Sequence, residues 1–378
     1  MQKRLLMTPG PTPIPDDVLL AMAQPILHHR TPEFKGLFKS CSDDLRLIFA
    51  TNEQVLMLSS SGTGAMEAAV TNFCRHGDTI ITIAGGKFGQ RWGQIGRAYG
   101  LQVVEIEVEW GQAIELGAIE AALNEHPSAR GVYVQASETS TGVRHPVQSI
   151  AALCRTRSDT LCVVDGITAV GVEPLEMDKW GVDIVVSGSQ KAFMLPPGLA
   201  FIACSEKAWA MAEQSDLPRY YFDLLKERKN QATGQTAYTS PVSLVVGLRT
   251  VLDRMLAMGV DKLHAHHDML ARGTRAGVQA LGLKLLANPP ATSVTAAWAP
   301  DDIDAGDIVK GIGERNIKIA GGQDHLKGRI FRIGHLGWFS QADIIATLSA
   351  LERTLADLGH EFSPGAGVAA AAAVFEGK

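Results

Sequence analysis

One lysine and one aspartate, each ending an apolar run, are the residues of this chain best placed to do chemistry. The lysine is Lys191, in Ile184-Val185-Val186-Ser187-Gly188-Ser189-Gln190-Lys191. A run of strand character leads into a small polar turn, and the lysine follows at once. In an open parallel sheet, ligands bind beyond the carboxyl ends of the strands, so the topology puts Lys191 in a cleft. A lysine held by a buried strand can lose its proton and condense with a carbonyl as a Schiff base. Taken alone, Lys191 reads more simply as a surface lysine just past a strand.

Asp165 changes that balance. It ends Leu161-Cys162-Val163-Val164-Asp165, 26 residues before Lys191, which is the length of one crossover between parallel strands. A carboxylate and a lysine at neighbouring strand ends suit pyridoxal 5'-phosphate (PLP). The lysine takes the aldehyde, and the aspartate keeps the pyridine nitrogen protonated so that the ring accepts electrons. Asp165 alone also reads as a cap for the segment that follows. A third element, Ser59-Ser60-Ser61-Gly62-Thr63-Gly64, lies between an apolar run and a helical pattern. Small hydroxyl residues and backbone N–H groups at a helix start form an anion cradle. A dinucleotide fingerprint is excluded because its third glycine and its acid are missing, and a Walker loop because no Gly-Lys-Ser/Thr follows. Phe88, in Gly85-Gly86-Lys87-Phe88-Gly89-Gln90-Arg91-Trp92, is placed to stack on a flat ring. The residues alone do not choose between that and a core Phe88 with Trp92 as the exposed ring.

The elements that must position these groups read as α/β. Seven apolar runs are expected as strands: Val55–Leu58, Thr79–Ile83, Val103–Glu107, Gly131–Val134, Leu161–Asp165, Ile184–Ser187 and Leu199–Ala203. Several lack polar alternation, as strands buried on both faces do, so the sheet is expected to be mostly parallel and covered by helices. Amphipathic stretches such as Ala65–Arg75 and Pro146–Arg155 lie between them. Helical patterns over Ser243–Met258 and Val260–Leu281 stop at Gly259 and Gly282. The reading divides the chain into an extended arm at 1–15, with prolines at 9, 11, 13 and 15, a large domain at 16–258 and a smaller α+β domain at 259–378. Ala369–Ala373 is expected as one turn of a terminal helix or a frayed tail.

Composition removes other classes. With 35 basic and 40 acidic residues the net charge is −5, which argues against a nucleic-acid or anionic-membrane binder. No stretch reaches the roughly 18 apolar residues of a membrane helix. Pro9-Gly10-Pro11 interrupts the chain before a signal-type run, and Val374–Lys378 is not a peroxisomal address, so a cytoplasmic protein is expected. Five scattered cysteines without a CxxC pair suggest reduced thiols. They match neither an Fe–S spacing nor a persulfide-forming loop. No metal site is expected. In His264-x-His266-His267, positions 264 and 267 share a helix face without supporting ligands, so a solvated face is expected. His28-His29-Arg30 reads as a loop near a subunit interface, and His335 as a supporting group near Arg332.

Val164-Asp165-Gly166, Ser187-Gly188-Ser189-Gln190-Lys191 and Phe331-Arg332-Ile333-Gly334-His335-Leu336-Gly337 resemble the class V PLP-dependent aminotransferases, nearest the serine/alanine–glyoxylate aminotransferase group. Thr8-Pro9-Gly10-Pro11 and Gly367–Ala371 are similar to that group too, so the resemblance spans the chain. It implies PLP fold type I, with a seven-stranded, mostly parallel sheet, a smaller C-terminal domain, and a homodimer with active sites at the subunit interface. Lys191 then matches the Schiff-base lysine and Asp165 the pyridinium partner. Ser61, Gly62, Thr63 and Gln190 match the phosphate site, Phe88 the stacking aromatic, and Thr139 the hydroxyl on the ring oxygen. Thr239 matches a residue that closes the phosphate site from the other subunit. Arg332 matches the clamp for the substrate carboxylate, and Gly10 a backbone contact in the substrate pocket. The chain departs from some relatives at Thr63, where they carry histidine, and at Thr236, where they carry tyrosine, so no contact is carried over to Thr236. The activity implied is transfer of an amino group from serine or alanine to glyoxylate or pyruvate by a ping-pong mechanism. The alternatives are another class V enzyme, such as a phosphoserine-type aminotransferase or a cysteine desulfurase-like lyase, and a soluble hydrogenase-associated subunit.

Overall fold

A computed structural model describes residues 4–377; the first three residues of the expected arm, and Lys378, lie outside the described residues. The seven apolar runs are the seven strands of one sheet. They are β1 (Val55–Leu58), β2 (Thr79–Ala84), β3 (Gln102–Glu107), β4 (Gly131–Gln135), β5 (Leu161–Asp165), β6 (Ile184–Gly188) and β7 (Ala200–Cys204). Their order is β1-β7-β6-β5-β4-β2-β3. Every pairing is parallel except those of β7, which runs antiparallel to both β1 and β6. Strands β4 to β7 are buried along their whole length. β3 lies at the sheet edge, where Gln102 and Glu107 at its ends stay in water.

Each face of the sheet carries an apolar layer. On one, Val134, Val164, Val185 and Phe201 pack against Phe38, Leu45 and Phe49 of α1 (Pro32–Phe49). Thr31 starts α1 by accepting the N–H of Phe34 at 3.3 Å, and Ala50 ends it in the left-handed region. On the other face, Leu56, Tyr133, Val163 and Val186 pack against α2 (Gly62–Thr71), and Trp92 of α3 (Lys87–Ala98) lies edge-on to Tyr133 at 5.0 Å. The amphipathic stretch expected from Ala65 proves to be α2, a helix buried nearly all round. Its glycines and alanines let it sit close to the sheet, so no wet face is left.

Beyond α4 (Val242–Met258), a second sheet follows. It consists of β8 (Val294–Trp298), β9 (Ala320–Gly321) and β10 (Ile330–Gly334), antiparallel in the order β8-β10-β9. Phe331 and Ile333 of β10 pack with Leu270 and Val278 of α5 (Val260–Ala280) and Leu348 of α6 (Gln341–Asp357). The C-terminal run is a ten-residue helix, α7 (Ala366–Phe375), longer than the single turn expected. It docks on α5 where a side chain at Gly367 would meet the Gly277 carbonyl at 3.0 Å. The histidines of α5 also correct the expectation of a solvated face. His267 is buried beside Leu263 and Leu270, because positions four before and three after it share its face. Its ring accepts the Gly337 N–H at 3.1 Å, and burial holds its pKa down at about 3, so it stays neutral. Among the described residues, no group of three potential metal ligands occurs.

The N-terminal arm ties the two sheets together. Leu5–Leu6 pairs in parallel with Ile317–Lys318, the Gly334 N–H donates to the Met7 carbonyl at 2.8 Å, and the Thr12 N–H donates to the Gln190 carbonyl at 3.2 Å. Removing the Phe201 ring tests the layer on which β7 depends. That ring lies 4.6 Å from the Phe193 ring and 6.5 Å from the Phe49 ring. Phe201→Ala is expected to cost about 3–5 kcal/mol in urea unfolding, and a loss below about 1 kcal/mol would contradict this packing.

Candidate active site

The strand ends bring the expected groups together. Lys191 follows β6, and its Nζ donates to the Pro9 carbonyl of the arm at 2.8 Å. Gly10 lies directly against it: a Cβ at Gly10 would stand 2.1 Å from Nζ, and Gly10 has φ +140. Only glycine meets both conditions. Asp165 ends β5, the middle strand of the seven, and is 6 % exposed. One of its oxygens accepts the Ile167 N–H at 2.9 Å, so Asp165 caps the local turn as well as facing the cleft. Burial pushes the Asp165 carboxyl up to about 7, against the Ile167 N–H and against the charges of Arg91 and Lys191. Burial lowers the Lys191 ammonium to about 8; Asp165 opposes this shift, while Arg332 and Arg91 add to it.

The anion cradle forms at the start of α2. Ser61 makes no capping bond through its side chain, so the first N–H groups of the helix are left to a ligand. A Cβ at Gly188 would stand 3.1 Å from Gln190 Oε1 and 3.3 Å from the Gly62 nitrogen, so β6, Gln190 and α2 converge on one spot. Gln190 Oε1 is buried with no hydrogen-bond partner among the described residues. Its amide is free to turn its N–H donors toward an anion there. Thr63 Oγ1 accepts from Arg91 Nη1 at 3.1 Å. Phe88 is half-buried while Trp92 is fully buried, which decides between the two rings. The residues present therefore fit PLP: a lysine of lowered pKa, a buried carboxylate, a half-buried aromatic ring, and a small-residue cradle with an orphaned amide beside it.

Arg332, expected as the carboxylate clamp, lies on β10. Its Nε donates to the Gly321 carbonyl at 2.9 Å and its Nη1 to the Thr139 carbonyl at 2.8 Å. A guanidinium has five N–H donors, so three remain for a planar anion. Burial lowers Arg332 to about 10, with the Glu138 charge acting the other way. Thr139 Oγ1 pairs with Thr168 Oγ1 at 3.1 Å. Thr239 is exposed, in a small cleft with Ser59, Phe222 and Tyr238. Thr236 is turned away into a bond from its Oγ1 to the Tyr238 carbonyl at 2.5 Å. His335 is buried against Thr295 Oγ1 at 2.9 Å and kept neutral by burial, which makes it a packing group.

Sequence reasoning does not find Glu138. Its buried carboxylate accepts the N–H groups of Gly89 at 2.8 Å, Phe88 at 3.1 Å and Ser140 at 3.0 Å, and the Ser140 hydroxyl at 2.6 Å. It thereby holds Phe88 and the Thr139 loop in one arrangement. The only signal in the sequence is an acid set among small hydroxyl residues just beyond an apolar run.

The fold and these residues define a transferase of the PLP fold type I class. The model of the family Aminotransferase class-V matches residues 5–334, and the chain belongs to that family. A protein named "Soluble hydrogenase, small subunit" from a Synechococcus species is 43% identical over 98% of this chain and 98% of its own. L-aspartate–glyoxylate aminotransferase of Paracoccus denitrificans is 37% identical over 96% of this chain and 94% of its own. Serine–glyoxylate aminotransferase of Methylorubrum extorquens is 36% identical over 97% and 94%. The solved alanine–glyoxylate aminotransferase of Nostoc superposes with a TM-score of 0.89 at 28% identity, covering 94% of this chain and 96% of that one. The chain is thus a PLP-dependent aminotransferase, with relatives named for glyoxylate.

The electrostatics of the pair can be read without turnover. In cofactor-depleted protein, labelling of Lys191 by an amine-reactive reagent should rise with a midpoint near pH 8, against about 10.4 for an ordinary lysine. Asp165→Asn removes the charge that retains the proton, so the midpoint should fall further. A midpoint above 10, or an upward shift in the variant, would refute the assignment; peptide mass spectrometry across pH provides the reading.

Proposed function

We propose that the protein moves an amino group from a small amino acid, serine or alanine, to glyoxylate or pyruvate in two half-reactions. The observation that carries this is the opposed pair at the strand ends, Lys191 at about 8 and Asp165 at about 7, with Arg332 across from them. Bound here, PLP supplies an aldehyde for the amines and a ring that draws electron density from the substrate's α-carbon. Lys191 would hold the aldehyde, Asp165 the ring nitrogen and Phe88 the ring face. Ser61, Gly62, Thr63 and Gln190 would hold the phosphate, and Thr139 the ring oxygen. Arg332 fixes the substrate carboxylate, and the backbone at Gly10 bounds the pocket. Lys191 Nζ, neutral above pH about 8, takes the proton from the α-carbon.

A homodimer in the cytoplasm is part of the same reading, with Thr239 of the partner subunit closing the phosphate site. The division into an arm at 1–15, a large domain at 16–258 and a small domain at 259–378 also belongs to it. The name of a hydrogenase subunit belongs to the relative that carries it; the lysine–aspartate pair supports the transferase reading.

The test is a panel of donors and 2-oxo acids followed as half-reactions through the cofactor spectrum. Serine or alanine should convert the bound cofactor and glyoxylate or pyruvate should restore it, whereas Lys191→Ala should do neither. Conversion by aspartate alone would overturn the donor assignment. A second outcome follows from the guanidinium. Lysine keeps the charge of Arg332 and loses the fork, so Arg332→Lys should lower kcat/KM for amino acids at least about tenfold, the equivalent of about 1.5 kcal/mol. An amine without a carboxylate should be unaffected. Equal losses for both donor types, with a lowered melting temperature, would make Arg332 a structural arginine.

A further inference from the structure

Arg91 takes part in none of the roles above, yet it touches two of the residues that do. It follows Phe88 by three residues on α3, so the two side chains share one face of the helix. Its guanidinium lies over the Phe88 ring at 4.9 Å, and its Nη1 donates to Thr63 Oγ1, in the first turn of α2, at 3.1 Å. Arg91 therefore bridges the ring-stacking aromatic and the anion cradle. It is half-buried, and among the described residues no carboxylate pairs with it. A half-buried guanidinium that spends one N–H on a neutral hydroxyl retains four donors and an uncompensated charge. Its charge reaches the centre of the site, since it weighs on both Asp165 and Lys191.

We propose that Arg91 is an anion-binding residue of the cradle, which takes a phosphate dianion seated on the first backbone N–H groups of α2. Thr63 and the Phe88 ring hold the guanidinium in place for it. The proposal rests on the reading that the cradle receives the phosphate of PLP. It adds a fixed positive charge to a loop otherwise made of neutral donors, at the position next to Thr63. Arginine suits the task because its planar fork meets two phosphate oxygens at once.

The phosphate group separates this role from a structural one. Cofactor-depleted protein would be titrated with PLP, with pyridoxal, which lacks the phosphate, and with inorganic phosphate. Arg91→Gln should raise the Kd for PLP at least about tenfold and weaken inorganic phosphate likewise, while leaving pyridoxal within about threefold. Arg91→Lys, which keeps the charge, should recover part of the loss. Equal weakening of PLP and pyridoxal by both variants would overturn the proposal, because Arg91 would then act only by placing Phe88. Unchanged PLP binding in Arg91→Gln would overturn it as well. Wild-type protein that binds PLP no more tightly than pyridoxal would instead refute the cradle reading beneath it. Melting curves of the cofactor-depleted variants identify a loss that stems from unfolding. If Arg91→Gln melts early, the Arg91→Lys titration decides, since a structural role predicts that PLP and pyridoxal are weakened by the same factor.

Discussion

Everything in this molecule serves to keep an amine and a carboxyl out of water at the same sheet edge. Burial disfavours the charged form of each group, which moves Lys191 down and Asp165 up. Each also stabilises the charge of the other, so neither shift runs to its limit. The outcome is an amine that gives up its proton near pH 8, far more readily than an ordinary lysine, beside a carboxyl that ionises only near pH 7. Neither condition survives on a wet surface. The sheet answers this requirement with strands apolar on both faces, because only a doubly covered strand brings its last residue to a buried edge.

Backbone groups, rather than other side chains, hold much of the site. Pro9 meets the Lys191 amine through its carbonyl, Gly321 and Thr139 meet Arg332 through theirs, and Phe88, Gly89 and Ser140 meet Glu138 through their N–H groups. Such contacts fix the position of a loop without asking much of its sequence. The arm is the clearest case: it joins Ile317–Lys318, Gly334 and Gln190 along its length, so the small sheet and the lysine loop are placed by one strip of chain. Arg332 on the small sheet reaches Thr139 on the large one by the same means.

The large sheet was legible because its strands are continuous apolar runs, a pattern that burial on two faces imposes. The direction of β7 was not, since Leu199–Ala203 reads the same whether it runs with or against its neighbours. Lys191 and Asp165 were legible because each breaks an apolar run at its end. Glu138 was hidden, since its partners are backbone N–H groups contributed by the first turn of α3 and by the Ser140 loop about fifty residues further on, and no spacing rule reports that. His267 misled for a related reason. Its neighbours on the chain are polar, while its neighbours on the helix face, Leu263 and Leu270, are apolar and decide where it goes. The boundary of α2 was missed because glycine and alanine carry little hydrophobic contrast, so a buried helix of small residues leaves no amphipathic trace.

The two arginines that depress the Lys191 pKa are held by different elements of the site. Arg91 bonds Thr63 in the first turn of α2, which the proposal gives to the phosphate, and Arg332 bonds the Thr139 carbonyl, where the proposal seats the substrate carboxylate. An anion seated on either one offsets a charge that pushes protons off the amine. Binding at each arginine is therefore linked to the proton affinity of the amine, and the linkage is reciprocal. On the proposed reading, the amine that moves the proton therefore senses an anion held at either arginine. A site built from the same amine and carboxylate, but with both arginines given to one ligand group, would lack this property: the amine would respond to that group and be indifferent to the other.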